Sequence, residues 1–136
     1  MVKLIMGLKG SGKTKHLVDL VRETLEQGKG DVVVIEKERK LTYDIPYQAR
    51  LVDAGAYGID TYELLKGMLC GMHAGNYDIT QVFIDNLCKI VGTDVNKDTE
   101  DFLNWLDLFG ERNNIKFTAT ISAETSDATD GMQKFL

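Results

Sequence analysis

Apolar positions along the chain alternate between two kinds of pattern. Val2 to Met6 is a short β-prone run. From Lys13 to Gln27, Leu17, Val21 and Leu25 recur every four residues with Val18 and Leu20 beside them, the stripe of an amphipathic helix that Gly28 and Gly30 end. Asp31 introduces Val32-Val33-Val34-Ile35, a continuous β-branched run that predicts a strand buried on both faces. Leu41 to Gln48, with the only proline at Pro46, reads as a loop, and Ala49 to Ala54 as a further short strand. Asp60 with Glu63 predicts a capping box, and Leu64, Leu65, Met68, Leu69 and Met72 fall on one helical face, so a helix is expected from Asp60 to His73. A turn at Gly75 to Asp78 leads into a strand over Ile79 to Ile84. Asn86 to Asp98 carries no clear period. Beyond it, Asp98 or Thr99 is expected to cap a helix ending near Asn113, with Phe102, Leu103, Leu106 and Phe109 on its buried face. Ile115 to Ile121 predicts the last strand, and the tail from Glu124 is at most weakly helical.

Strands alternating with helices predict an α/β fold, a three-layer α/β/α sandwich around a mainly parallel sheet. In such sheets ligands sit beyond the carboxyl ends of the strands. That rule gathers Gly7 to Thr14, Glu36 to Lys40, Asp85, Asn86 and Ser122 at one rim. The 136 residues suit one domain spanning residues 1–136, and 43% hydrophobic with 27% charged positions is ordinary for a soluble protein. A net charge of -5 argues against general nucleic-acid or anionic-membrane binding. No apolar run approaches the ~18 residues of a membrane span, and Met1 to Met6 is too short for a signal-peptide core, so a cytoplasmic location is expected. Cys70 and Cys88 form no metal-ligand spacing with each other or with His16 and His73, and read as reduced thiols. The histidines read as surface or boundary residues, and Trp105 as a packing residue.

The chemistry is concentrated in Gly7-Leu8-Lys9-Gly10-Ser11-Gly12-Lys13-Thr14, which lies between the first strand and the first helix. Gly7, Gly12, Lys13 and Thr14 fit the phosphate-binding P-loop pattern, each residue type with a physical job. Glycine lets the backbone turn tightly and approach a polyphosphate, while successive N-H groups and the helix dipole form an anion cradle. Lys13 reaches the β and γ phosphates, and the Thr14 hydroxyl is suited to Mg2+. Gln81-Val82-Phe83-Ile84-Asp85 is an apolar strand ending in an acid that can hold the same Mg2+ opposite Thr14.

Through Gly7 to Thr14 as a Walker A segment and Phe83-Ile84-Asp85 as a Walker B segment, the chain resembles the P-loop NTPases, most of all the RecA-like group. As a whole it is also similar to small bacterial P-loop proteins of unassigned role, some labelled PilT-like motility ATPases. The resemblance implies ATP and Mg2+ as ligands. It also implies a catalytic Glu. Many additional-strand members carry that Glu directly after the Walker B Asp, where this chain has Asn86, an amide that cannot accept a proton from water. RecA-like members take it from the strand after the P-loop helix, which makes Glu38 the better match and Glu36 the second. Ser122 ends the last strand where relatives place a polar sensor of the γ-phosphate, and Lys9 stands where a small or apolar residue is usual.

Only Arg22, Arg39, Arg50 and Arg112 are available as arginine fingers, so a homo-oligomer or a protein partner stays open as the source of one. Asn96-Lys97-Asp98 brings its acid one place too early for a guanine reader, and Asp85 has no Gly three residues later, which leaves adenine nucleotide as the default. Three functions remain: a slow Mg-dependent ATPase of RecA-like type, a nucleotide-binding regulatory module with little hydrolysis, and a small-molecule kinase. Thymidine kinases also combine a P-loop with a strand-end Asp, but their Asp-Glu pair and zinc lobe have no counterpart here.

Overall fold

A computed structural model describes residues 1–136. Its strands are β1 (Val2–Gly7), β2 (Asp31–Glu36), β3 (Arg50–Asp53), β4 (Ile79–Ile84) and β5 (Lys116–Ser122), interleaved with the helices α1 (Lys13–Gln27), α2 (Tyr62–Gly75), α3 (Leu87–Val91) and α4 (Lys97–Asn113). The strands form one sheet in the order β1-β5-β4-β2-β3, and every neighbouring pair is parallel. Parallel neighbours need a long crossover, and α1, α2 and α4 supply the longer ones. No helix is long and apolar enough to cross a membrane.

The two-residue period of each strand sorts its side chains between two cores. Val32 and Val34 of β2 and Phe83 of β4 pack under α1 with Leu17, Val18 and Val21. Val33 and Ile35, Val82 and Ile84, and Phe117, Ala119 and Ile121 face the opposite layer, where α2, α3 and α4 contribute Leu65, Leu69, Leu87, Ile90, Phe102, Leu103 and Leu106. The α/β/α sandwich expected from the alternating pattern is therefore the observed architecture. Burial on both faces explains the unbroken β-branched run in β2.

Several local expectations change. The helix expected from Asp60 begins at Tyr62, because the Thr61 hydroxyl, not the Asp60 carboxylate, accepts the Leu64 N-H at 3.1 Å. Leu64 is 45% exposed, so the buried face of α2 is carried by Leu65 and Leu69. The cap of α4 is Asn96 in place of Asp98 or Thr99. Asn96 accepts the Thr99 N-H and Thr99 accepts the Asn96 N-H, a reciprocal box that leaves Thr99 buried inside the first turn. The unpatterned stretch after Asn86 contains the short α3. The expected strand over Ala49 to Ala54 is trimmed to β3, since Ala54 opens a 3-10 turn capped by Asp53. The tail forms two 3-10 turns, and the second buries Met132 and Phe135 in the larger core. Trp105 stacks between Phe102 and Phe109, and both cysteines are free thiols.

The reassigned cap can be measured. Thr61→Ala should lower unfolding stability in urea by about 1 kcal/mol, whereas Asp60→Ala should change it by less than about 0.5 kcal/mol. An equal loss from both substitutions would return Asp60 to the cap.

Candidate nucleotide site

The P-loop stretch joins β1 to α1 as an open backbone turn. Ser11 donates its N-H to the Leu8 carbonyl at 3.0 Å, and both Gly10 and Gly12 have φ of 87°, a left-handed conformation that disfavours a side chain. A Cβ at Gly7 would run into the Ser11 hydroxyl. Gly12 is also the N-cap of α1 and offers no side chain to its first turn, so those amide donors stay open to a ligand. No acidic residue occupies that turn. An anion arriving there meets the positive end of a helix 15 residues long. Lys13 is only 9% exposed, while Leu8, Lys9, Gly10 and Ser11 are exposed.

Register brings the other groups to the same end of the sheet. Gly7 pairs with Ser122, Ile84 with both Ile35 and Ala119, and Glu36 with Asp53, so Asp85, Thr120, Glu36 and Ser122 end their strands near the P-loop. Thr14, 71 residues before Asp85, donates its hydroxyl to Asp85 Oδ1 at 3.3 Å. Thr120, fully buried in β5, donates to the same oxygen at 2.8 Å and accepts the Asn86 N-H at 2.7 Å. Because the amide of Asn86 occupies a Thr120 lone pair, the single hydroxyl proton is directed to Asp85. Both recorded bonds fall on Oδ1, which leaves Oδ2 for another group. Ser122 donates to Asn86 Oδ1 at 3.1 Å. Asn86 itself has φ of 57°, a left-handed conformation that Asn tolerates far better than Glu, and it turns the chain from β4 into α3. The local backbone thus suits Asn better than Glu directly after Asp85.

The opposite wall carries the two glutamates. Glu36 is buried at 4% exposure, and its carboxylate accepts the N-H groups of Lys40 at 3.0 Å and Leu41 at 3.1 Å. Burial pushes its pKa up despite those two donors, and the neighbouring Asp85 and Asp53 push the same way. Glu38 is half-exposed and lies between two ammonium groups, Lys40 at 3.5 Å and Lys89 at 3.8 Å. The two candidates differ in kind: Glu36 spends both oxygens on backbone, whereas Glu38 holds only ion pairs at the surface.

These groups line one polar cleft of about 910 Å3. It includes Lys9, Gly10, Lys13, Thr14, Glu36, Glu38, Asp85, Asn86 and Ser122, whereas Gly7, Leu8, Ser11 and Gly12 of the same stretch do not line it. Three others belong beside them: Thr120 through its bond to Asp85, and Lys40 and Lys89 from the cleft wall. The signal for Thr120 was its place two residues before the end of β5, in line with Thr118 and Ser122. Lys89 offered none, since a lysine on a short helix looks like any solvated one. No arginine lines the cleft, and Arg39 instead lies 3.8 Å from Asp53. A larger, mainly apolar groove of about 1110 Å3 lies between α2 and β3, without the convergent charges of the P-loop cleft.

The donor chemistry can be tested against Mg2+. Thr14 and Asp85 present two hard oxygens side by side, and no cluster of three or more His, Cys, Asp or Glu residues competes as an all-protein cage. Mg2+ characteristically takes one or two protein oxygens and completes its shell with phosphate and water, so the pair fits.

No family model matches the chain, and no curated protein sequence matches it. Among solved structures it is similar to the flagellar accessory protein FlaH from Methanocaldococcus jannaschii, with a TM-score of 0.59 at 11% identity, over 98% of this chain and 65% of that one. This chain therefore spans just under two thirds of the length of that protein. At such an identity the likeness concerns architecture alone, an α/β fold around a parallel sheet.

Proposed function

We propose that residues 1–136 form one nucleotide-binding domain that takes ATP with Mg2+ and hydrolyses it slowly. The observation that carries this reading is the Thr14–Asp85 hydrogen bond at 3.3 Å, which joins the end of the P-loop to the end of β4 across the mouth of the cleft. The open amides of Gly10, Gly12, Lys13 and Thr14 and the Lys13 ammonium hold the phosphates. Thr14 and Asp85 hold Mg2+, which when bound would neutralise charge on the β and γ phosphates. Thr120 keeps the Asp85 carboxylate oriented, as partners of metal-ligating groups do. The position of β5 between β1 and β4 supports the additional-strand layout of the RecA-like group.

For hydrolysis, Glu38 is the group available to take a proton from water, because its carboxylate is not committed to backbone. Glu36 remains second, and Ser122 would report the terminal phosphate through its bond to Asn86. The ion pairs that hold Glu38 to Lys40 and Lys89 also favour a second reading, a nucleotide-binding regulatory module in which the base stays occupied and little ATP turns over.

Calorimetry and a phosphate-release assay separate the two readings. Lys13→Ala should weaken ATP binding by at least about ten-fold, the value of a charge-assisted bond to phosphate, and an unchanged affinity would overturn the site assignment. Thr120→Val should raise the Mg2+ concentration needed to support ATP binding by about ten-fold while leaving Mg2+-free ADP binding in place. Equal losses with and without Mg2+ would make Thr120 structural only. Glu38→Gln should slow ATP turnover at least about ten-fold with ATP still bound. Turnover at the parent rate would remove Glu38 as the base, and no turnover by the parent protein would favour the regulatory module.

A further inference from the structure

The far wall of the cleft holds more positive charge than its own acid can balance. Glu38 Oε2 lies 3.5 Å from Lys40 Nζ, and Glu38 Oε1 lies 3.8 Å from Lys89 Nζ, so a single carboxylate faces two ammonium groups. The lysines come from different elements, Lys40 from the loop after β2 and Lys89 from α3, and both line the cavity that contains Lys13, Thr14 and Asp85. Each is placed by a bond of its neighbours. Glu36 accepts the Lys40 N-H, and Asn86, fixed by Thr120 and Ser122, starts the helix that carries Lys89.

The two ammonium groups disturb each other. Lys89 is pushed below the usual lysine range, first by the neighbouring Lys40 and then by partial loss of water. Both pairs with Glu38 are longer than a charge-assisted hydrogen bond and exposed to solvent, so they are readily exchanged for a more highly charged partner. A terminal phosphate is such a partner, and the diphosphate lacks it.

Resting on the nucleotide reading of this cleft, we propose that Lys89 distinguishes triphosphate from diphosphate: it pairs with Glu38 in the nucleotide-free protein and with the γ-phosphate of ATP. The exchange releases the Glu38 carboxylate only when a triphosphate is bound. Lys89 thereby links recognition of the third phosphate to the freedom of the group proposed to activate water. The chain then supplies from within itself a cation that no arginine of the cleft provides.

The test compares ADP with a non-hydrolysable ATP analogue by calorimetry on the purified full chain in Mg2+. Lys89→Met should lose about ten-fold in affinity for the triphosphate and less than about two-fold for ADP, and Lys89→Arg should restore the preference. Glu38→Gln, which frees both lysines, should tighten triphosphate binding several-fold and leave ADP alone. Equal loss of both nucleotides in Lys89→Met, or loss of neither, would overturn the proposal while the nucleotide site stands. A parent protein that binds neither nucleotide would overturn the nucleotide reading and this inference with it.

Discussion

Parallel pairing in a common register is the constraint on which everything at the cleft depends. β2 ends in Glu36, β4 leads into Asp85 and β5 ends in Ser122, and Gly7 opposite Ser122 with Ile84 opposite Ala119 sets those groups level with the start of the glycine turn. A slip of one residue in β5 would reverse its faces, exchange Thr120 for an apolar neighbour and break the bond that orients Asp85. The two-faced burial of β2, β4 and β5 excludes such a slip, because it would also drive Thr118 and Thr120 into the larger core. Packing and chemistry are therefore specified by the same alternation.

Within that frame, the short link from β4 to α3 ties neighbouring strand ends together. Asn86 occupies a left-handed turn, gives its N-H to Thr120 and receives the hydroxyl of Ser122. Three strand-end polar groups are thus joined in a chain that begins at the P-loop with Thr14. A Glu in that backbone conformation would carry strain and would lose the amide oxygen contact made by Ser122. What the chain gives up in proton-accepting power beside Asp85 it gains in a fixed start for the helix that carries Lys89.

The sequence made the scaffold and most of this rim legible, for identifiable reasons. Strong periods marked α1 and β4, whose bounds Lys13–Gln27 and Ile79–Ile84 agree with the apolar pattern. The glycine turn was legible because the pattern at Gly7, Gly12, Lys13 and Thr14 falls between a strand and a helix, and the cleft because the carboxyl ends of parallel strands share one rim. Caps were misread at α2 and α4 because Asp60, Thr61, Asn96, Asp98 and Thr99 are all good N-cap residue types, and only the backbone path selects among them. The tail was undervalued because two buried residues, Met132 and Phe135, make no period. The environment of Glu38 was invisible for another reason: its partners Lys40 and Lys89 are joined to it by tertiary geometry, and a run such as Glu36 to Lys40 reads as a solvated loop.

The placement of β1 at one edge of the sheet bears on the order in which the molecule assembles. β1 precedes the other four strands in the chain, yet its sole partner is β5, with Val2 against Phe117. It also meets the turn that carries Met132 and Phe135 into the same core. The turn between β1 and α1 therefore precedes by more than a hundred residues the strand that anchors it. During synthesis β1 must wait, unpaired, until β5 emerges, and contacts of such long sequence separation are slow to form. The rim of the cleft is, on this ordering, set in place only once β5 has inserted between β1 and β4.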